Sequence, residues 1–199
     1  MEIRVARSNA IFAPMIRPSL HTEPTTAMEM ARHYIGDVVY GANDGIITTF
    51  AVVAGVTGGA LSARAVLIVG AANLMADGLS MGVGNYLSIR SNESAREAQG
   101  LPEQEARPAR HGFATFAAFV AIGAVPLLPY LLPDMLIDRF TMSVLLTLGA
   151  LFIVGASRAA VTVDRWWTAG LEMLLLGVIV AAAAYGSGAL VAALINGTG

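Results

Sequence analysis

The sequence predicts an all-α, polytopic membrane protein with five transmembrane helices, and three observations carry that reading. Hydrophobic residues make up 56% of the 199-residue chain and charged residues only 13%, about half the share usual in a soluble domain. Five apolar stretches are long enough to cross a hydrocarbon core about 30 Å thick, which takes roughly 20 helical residues. Arginine falls heavily on one side of those stretches. A spanning segment must satisfy its own backbone hydrogen bonds, so the stretches read as helices rather than open strands.

Residues 1–33 read as a flexible or surface-lying cytoplasmic tail bearing Arg4, Arg7, Arg17, Pro14, Pro18 and Pro24, with apolar pieces too short for a signal-peptide core. Residues 34–199 read as the transmembrane domain. Its first span runs from about Ile35 to Gly58 and stops at Thr57-Gly58-Gly59. The second runs from about Ala65 to Ser88. The connection at about 91–111 begins helix-prone, with Glu93, Arg96 and Glu97, so the second helix is expected to continue through Glu97 and break near Gly100. Pro102 and Pro108 follow. The third span covers Phe113 to Leu132 and ends at Pro133-Asp134. The fourth covers Phe140 to Val163, before Asp164-Arg165. The fifth covers Trp167 to Ile195, with Trp166 and Trp167 where an interfacial aromatic belt belongs.

Every basic residue is Arg. The tail and first-span start (Arg4, Arg7, Arg17, Arg32), the second connection (Arg90, Arg96, Arg107, Arg110) and the fourth (Arg158, Arg165) share one side, against only Arg64 and Arg139 on the other. That asymmetry expects a cytoplasmic N-terminus and a C-terminus on the opposite side. A net charge of −2 gives no reason to expect a nucleic-acid partner. The absence of Cys excludes disulfides and thiolate metal sites. Metal ligands must then be carboxylates, amides, carbonyls, thioethers or the three histidines, of which His21, His33 and His111 follow no ligand spacing.

The chemistry concentrates in the first two spans. An Asp at the centre of a membrane helix costs about 2.5–3.5 kcal/mol on insertion scales, and such residues usually mark a functional path. Asp37 and Asp44 lie about two turns apart on one face, and Thr48 continues that face. Asp37 is near the boundary, where a hydrated helix end would account for it equally well. Asn73, Asp77, Met81 and Asn85 recur at every fourth position and form one stripe. Carboxylate and amide oxygens alone suit Mg²⁺ or Ca²⁺, whereas a ligating Met81 would favour softer ions such as Fe²⁺ or Mn²⁺. A Met in an apolar helix is more often packing. A bound cation and protons compete for buried carboxylates, which is the chemistry a metal–proton antiporter needs. Glu93 and Glu97, with Glu103 and Glu105, are candidates for gathering cations, although charges beside a membrane are usually only solvated. Glu172 is expected to pair with Arg158.

The run GDVVYGANDGIITTF from Gly36 to Phe50 resembles the first-helix signature of the vacuolar iron transporter family. NLMADGLSMGVGNYL, from Asn73 to Leu87, is similar to its second-helix signature, and the likeness extends from about Tyr34 to Leu194 through Pro126–Tyr130 and Glu172–Gly177. The resemblance implies a homodimer of five-helix subunits with the route between the first two helices of both copies. It implies export of Fe²⁺, and often Mn²⁺, from the cytoplasm against protons, with no resident cofactor. It matches Asp37 and Asp44 to the pathway carboxylates and Met81 to the pathway methionine. Asn73 stands where plant-type members carry Glu, and Asp77 one turn on is expected to supply the charge. The short connection at 91–111 replaces a glutamate-rich domain, so a cytoplasmic metal-loading step is expected to be absent. Short loops fit a bacterial inner membrane, with a eukaryotic organelle membrane as the alternative. Competing readings are a Mn²⁺ exporter with little iron activity, a non-transporting membrane scaffold, and an intramembrane aspartyl protease, whose Tyr-Asp and Gly-x-Gly-Asp pairings are missing here.

Overall fold

The fold begins with a helix that its sequence caps. Thr26 accepts a hydrogen bond from the Glu29 backbone N–H at 3.2 Å, and the Glu29 carboxylate accepts from the backbone N–H of Thr25 and Thr26. This reciprocal pair starts α1 (Ala27–Gly58), two turns before the first apolar-periodic residue. In this computed structural model, which describes residues 17–133, 137–160 and 162–197, the chain continues as α2 (Ala63–Ala98), α3 (Pro108–Gly123), a single 3₁₀ turn (Val125–Leu127), α4 (Leu128–Leu131), α5 (Arg139–Ser157) and α6 (Trp166–Gly197). Residues 1–16 of the expected tail lie outside the described residues.

Among the described residues, five helical segments are long and apolar enough to cross a membrane: Ala27–Gly58, Ala63–Ala98, Pro108–Leu131, Arg139–Ala160 and Trp166–Ile195. The second helix does continue past Glu97, ending at Ala98, and Gly100 turns the chain at φ +69°. The third span differs from one unbroken helix. Pro126 and Pro129 supply no N–H to the ladder, so the chain tightens into a 3₁₀ turn between α3 and α4. The Pro126 carbonyl is recovered by the Ser143 hydroxyl of α5, which donates to it at 2.7 Å. Where no water is available, such side chains must satisfy a broken helix.

The helix α1 is the axis of the bundle. It packs most extensively against α3 and α6, and also touches α2 and α5. Its buried residues Ile46, Phe50, Val53 and Ala54 meet Leu74 of α2, Phe119 of α3, Leu151 of α5 and Met173 of α6 in two adjoining clusters. Lipid gives helices no hydrophobic reason to associate, so close packing must hold them. It does so through glycine. A Cβ on Gly45 would stand 2.5 Å from the Phe119 carbonyl oxygen, and one on Gly41 would collide with the Thr115 carbonyl. Gly123 returns the contact from α3, where a Cβ would lie 2.8 Å from the Gly45 carbonyl. The outer surface of α6 carries exposed Leu171, Leu175, Ile179, Leu190 and Leu194, a face suited to lipid tails.

Residues 17–33 depart from the expected free tail. Arg17 donates to the Glu93 carboxylate at 2.8 Å and to the Glu93 carbonyl at 3.0 Å. Ser19 and Glu103 form a parallel bridge, with the Leu20 N–H on the Glu103 carbonyl and the Glu103 N–H on the Pro18 carbonyl. The expected domain boundary at 33/34 therefore falls inside α1, and the segment before that helix is tied to the connection between α2 and α3.

Replacing Gly45 with Leu should destabilise the purified protein by at least about 1–3 kcal/mol, the usual overpacking cost, read as a lower Tm in detergent. Gly149→Ala, where an added Cβ meets nothing within 4 Å, should leave Tm unchanged or slightly raised. Glu93→Ala should speed amide exchange at Leu20 and Glu103. Unaltered exchange there would mean that Glu93 does not hold the segment.

Candidate metal pathway and its polar support

Three helices meet at Asp37. Its Oδ1 accepts from Asn85 Nδ2 of α2 at 2.6 Å, and its Oδ2 lies 2.6 Å from His111 Nδ1 of α3. Asn85 also donates to the Thr115 hydroxyl at 2.8 Å, and that hydroxyl donates to the His111 carbonyl at 3.1 Å. The Asp37 side chain is only 13% exposed. A carboxylate in such a place must be hydrogen-bonded, and here both oxygens are.

Asp44 is half-buried further along α1, and its backbone carbonyl accepts from the Thr48 hydroxyl at 2.8 Å. Asp77 of α2 is within electrostatic reach of Asp44. Two like charges on neighbouring spans repel one another, and a cation or a proton between them relieves that repulsion. Asn73 donates to Asp77 Oδ2 at 3.3 Å, so the two form one polar unit on consecutive turns.

The α2 stripe owes its position to a second fourfold row beside it. Val66, Gly70, Leu74, Gly78 and Gly82 are buried against the other helices. Asn73, Asp77, Met81 and Asn85 sit at the half-buried edge of that row. Met81 packs against the cluster formed by Phe50 and Phe119. The structure thus joins Asp37 to Asn85, Asp77 to Asn73, and brings Asp44 within reach of Asp77.

The two lower-ranked carboxylates separate from this group. Glu93 has both oxygens engaged, Oε2 with Arg17 and Oε1 with the backbone N–H groups of Gln104 and Glu105 at 3.1 Å. Glu93 thus ties the segment before α1 to the connection after α2. Glu97 is exposed on the last turn of α2. Glu172 pairs with Arg158 at 3.3 Å, as expected.

Sequence spacing missed Thr115 and the contact of His111 with Asp37, and named Glu105 only among the carboxylates that gather cations. It also read the histidines as isolated, whereas all three converge on Glu105, whose Oε2 lies 3.3 Å from His21 Nδ1, 3.3 Å from His33 Nε2 and 3.1 Å from His111 Nε2. The only signal in the sequence was topological: all three belong to segments on the Arg-rich side. Burial raises the Glu105 carboxyl, but the Arg107 N–H at 2.7 Å and the neighbouring His111 and His21 outweigh it and hold the group below the ordinary Glu value. Glu105 is therefore an anion at neutral pH.

The model for the VIT family matches residues 35–104 and 94–189 of the chain. Vacuolar iron transporter 1 of Arabidopsis thaliana is 29% identical over 223 aligned positions, covering 83% of this chain and 88% of that protein. Vacuolar iron transporter 1 of Eucalyptus grandis is 28% identical, covering 81% of this chain and 86% of its own length. A vacuolar iron transporter of Toxoplasma gondii is 46% identical over 71 residues, 36% of this chain and 24% of that protein. With five membrane-crossing helices and a family match over most of its length, the chain is a multi-pass membrane protein of the VIT family, whose members are transporters and not enzymes.

Proposed function

We propose that the protein exports divalent transition-metal ions, Fe²⁺ and Mn²⁺, from the cytoplasm in exchange for protons. The observation that carries this reading is the pair of half-buried carboxylates, Asp44 and Asp77, on adjacent spans within electrostatic reach of each other. Asp44 and Met81 hold the ion, and Asp77 with its Asn73 partner supplies the second charge. Asp37, fixed by Asn85, is the station on the cytoplasmic side. A divalent cation between the aspartates displaces protons from them, and protons arriving from the far side displace the cation. Such competition, with two alternating conformations, couples the two fluxes.

A homodimer supports the same reading. Beside the polar stripe, α2 exposes Ala72, Ala76, Ser80 and Gly84, small residues recurring at every fourth position. A Cβ on Gly84 would meet nothing within 4 Å. Small-residue rows allow membrane helices to approach closely, and a second copy seated there would close the open side of the stripe. The Arg-rich end faces the cytoplasm and the C-terminus the opposite side, in the inner membrane of a bacterial cell. The soft thioether of Met81 gives iron a place beside manganese, which a purely Mn²⁺-selective exporter would not need.

Purified protein in proteoliposomes should move Fe²⁺ and Mn²⁺ with a matching, metal-dependent pH change. Asp44→Asn should lower the rate at least about tenfold, and Asp77→Asn should lower the protons moved per ion. Unchanged metal flux in both variants, each folded as judged by its Tm, would leave a scaffold as the better account. Flux of Mn²⁺ without Fe²⁺ would narrow the cargo.

A further inference from the structure

The histidine cluster at the Arg-rich end is not used by the transport route above. Three nitrogens stand 3.1–3.3 Å from one oxygen, Glu105 Oε2. The ligating atoms of His21, His33 and Glu105 all lie within 4.8 Å of one another. Donor atoms around a tetrahedral ion with bonds of about 2.05 Å stand roughly 3.3 Å apart. His21, His33 and Glu105 are therefore within ligand range of one another, and His111 Nε2 reaches the group through Glu105. The Nε2 atoms of His33 and His111 are buried, yet neither has a hydrogen-bond partner; their approach to Glu105 is close but misaligned for one. His111 as a residue is 9% exposed.

The far sides of two rings explain which nitrogens are available. His111 Nδ1 is 2.6 Å from the Asp37 carboxylate, and His21 Nε2 is 3.0 Å from the Glu23 carboxylate. An ionised carboxylate only accepts, so these nitrogens carry the hydrogens. In the neutral rings the opposite nitrogens, His111 Nε2 and His21 Nδ1, are the ones with lone pairs, which face the Glu105 anion favourably only when a cation lies between them. A carboxylate behind each ring is the support that metal-binding histidines typically have. An ion-pair cluster accounts for the arrangement less well. It would crowd imidazolium rings whose centroids are 4.9 Å apart (His33 and His111) around a single carboxylate oxygen.

We propose that His21, His33, His111 and Glu105 form a binding site for one divalent transition-metal ion, with Asp37 and Glu23 orienting two of the imidazoles. Three imidazoles and one carboxylate suit Fe²⁺, Co²⁺, Ni²⁺ or Zn²⁺ over Mg²⁺ and Ca²⁺. The ion would draw together the segment before α1, α1 itself, the connection after α2, and α3. It would also lie one imidazole from Asp37. A role as the station where cargo enters rests on the transport reading, whereas the site itself does not. The shortened connection at 91–111 thus contributes to a metal site built from histidines rather than from a glutamate-rich domain.

The test uses the full chain in detergent, carrying Asp44→Asn and Asp77→Asn so that the proposed ion site between those two aspartates cannot contribute. Titration with Co²⁺ should produce visible d–d bands saturating at one ion per chain. His21→Ala with His33→Ala should abolish them, and Glu23→Gln should weaken binding about 10- to 100-fold. The chain has no cysteine, so His33→Cys introduces a single thiolate, and Co²⁺ should then give a near-ultraviolet thiolate charge-transfer band. Absent d–d bands, bands indifferent to the double histidine variant, or a missing charge-transfer band in folded His33→Cys protein would each overturn the site. Binding is read without transport, so a failed transport assay leaves this result standing.

Discussion

A carboxylate placed among membrane helices must be answered by donors from its own protein, because the surrounding hydrocarbon has none. At Asp37 that requirement organises the Arg-rich end of the molecule. Answering both oxygens takes Asn85 from α2 and His111 from α3, and Asn85 in turn is shared with Thr115. One charge thereby fixes the relative positions of three helices. It also fixes the tautomer of His111, and with it the direction in which that ring offers a lone pair.

This hydrogen-bonded node is reachable only because the helices come so close. Gly41, Gly45 and Gly123 let α1 and α3 meet backbone to backbone, and Gly82 faces Gly112 across α2 and α3 in the same way. A short side chain such as Asn spans the remaining gap. Larger residues at these crossings would push the donors beyond the roughly 3 Å that a hydrogen bond allows. Packing and polar chemistry are thus one constraint here. The glycines set the distance, and the carboxylate uses it.

Much of this was legible in the sequence. Five spans follow from apolar length, and the stripe Asn73, Asp77, Met81, Asn85 follows from helical periodicity, because both are properties of consecutive residues. The family resemblance from Gly36 to Phe50 and Asn73 to Leu87 agrees with the family match. What stayed hidden depends on contacts between distant segments. The Asn85–Asp37 bond joins residues 48 positions apart, and His111–Asp37 joins residues 74 apart. No local pattern encodes either. The engagement of Glu93 with Arg17 and two backbone N–H groups is of the same kind, since its partners lie in other segments. The start of α1 was misplaced for the opposite reason. Its capping box, Thr26 with Glu29, is plain in the sequence but lies outside the apolar stretch that marks the span.

The unbroken run of α1 has a consequence for ions in transit. His33 and Asp44 stand on one continuous helix, so their separation along the axis is about 16 Å at 1.5 Å per residue. Two divalent ions held at that spacing repel by about 4 kcal/mol at an effective dielectric constant near 20. Filling the histidine cluster while the aspartates are occupied would therefore loosen the deeper ion by up to several hundredfold. The helix would act as a ruler that sets how strongly each newcomer evicts its predecessor, and a kink or an inserted residue between the two stations would change that force.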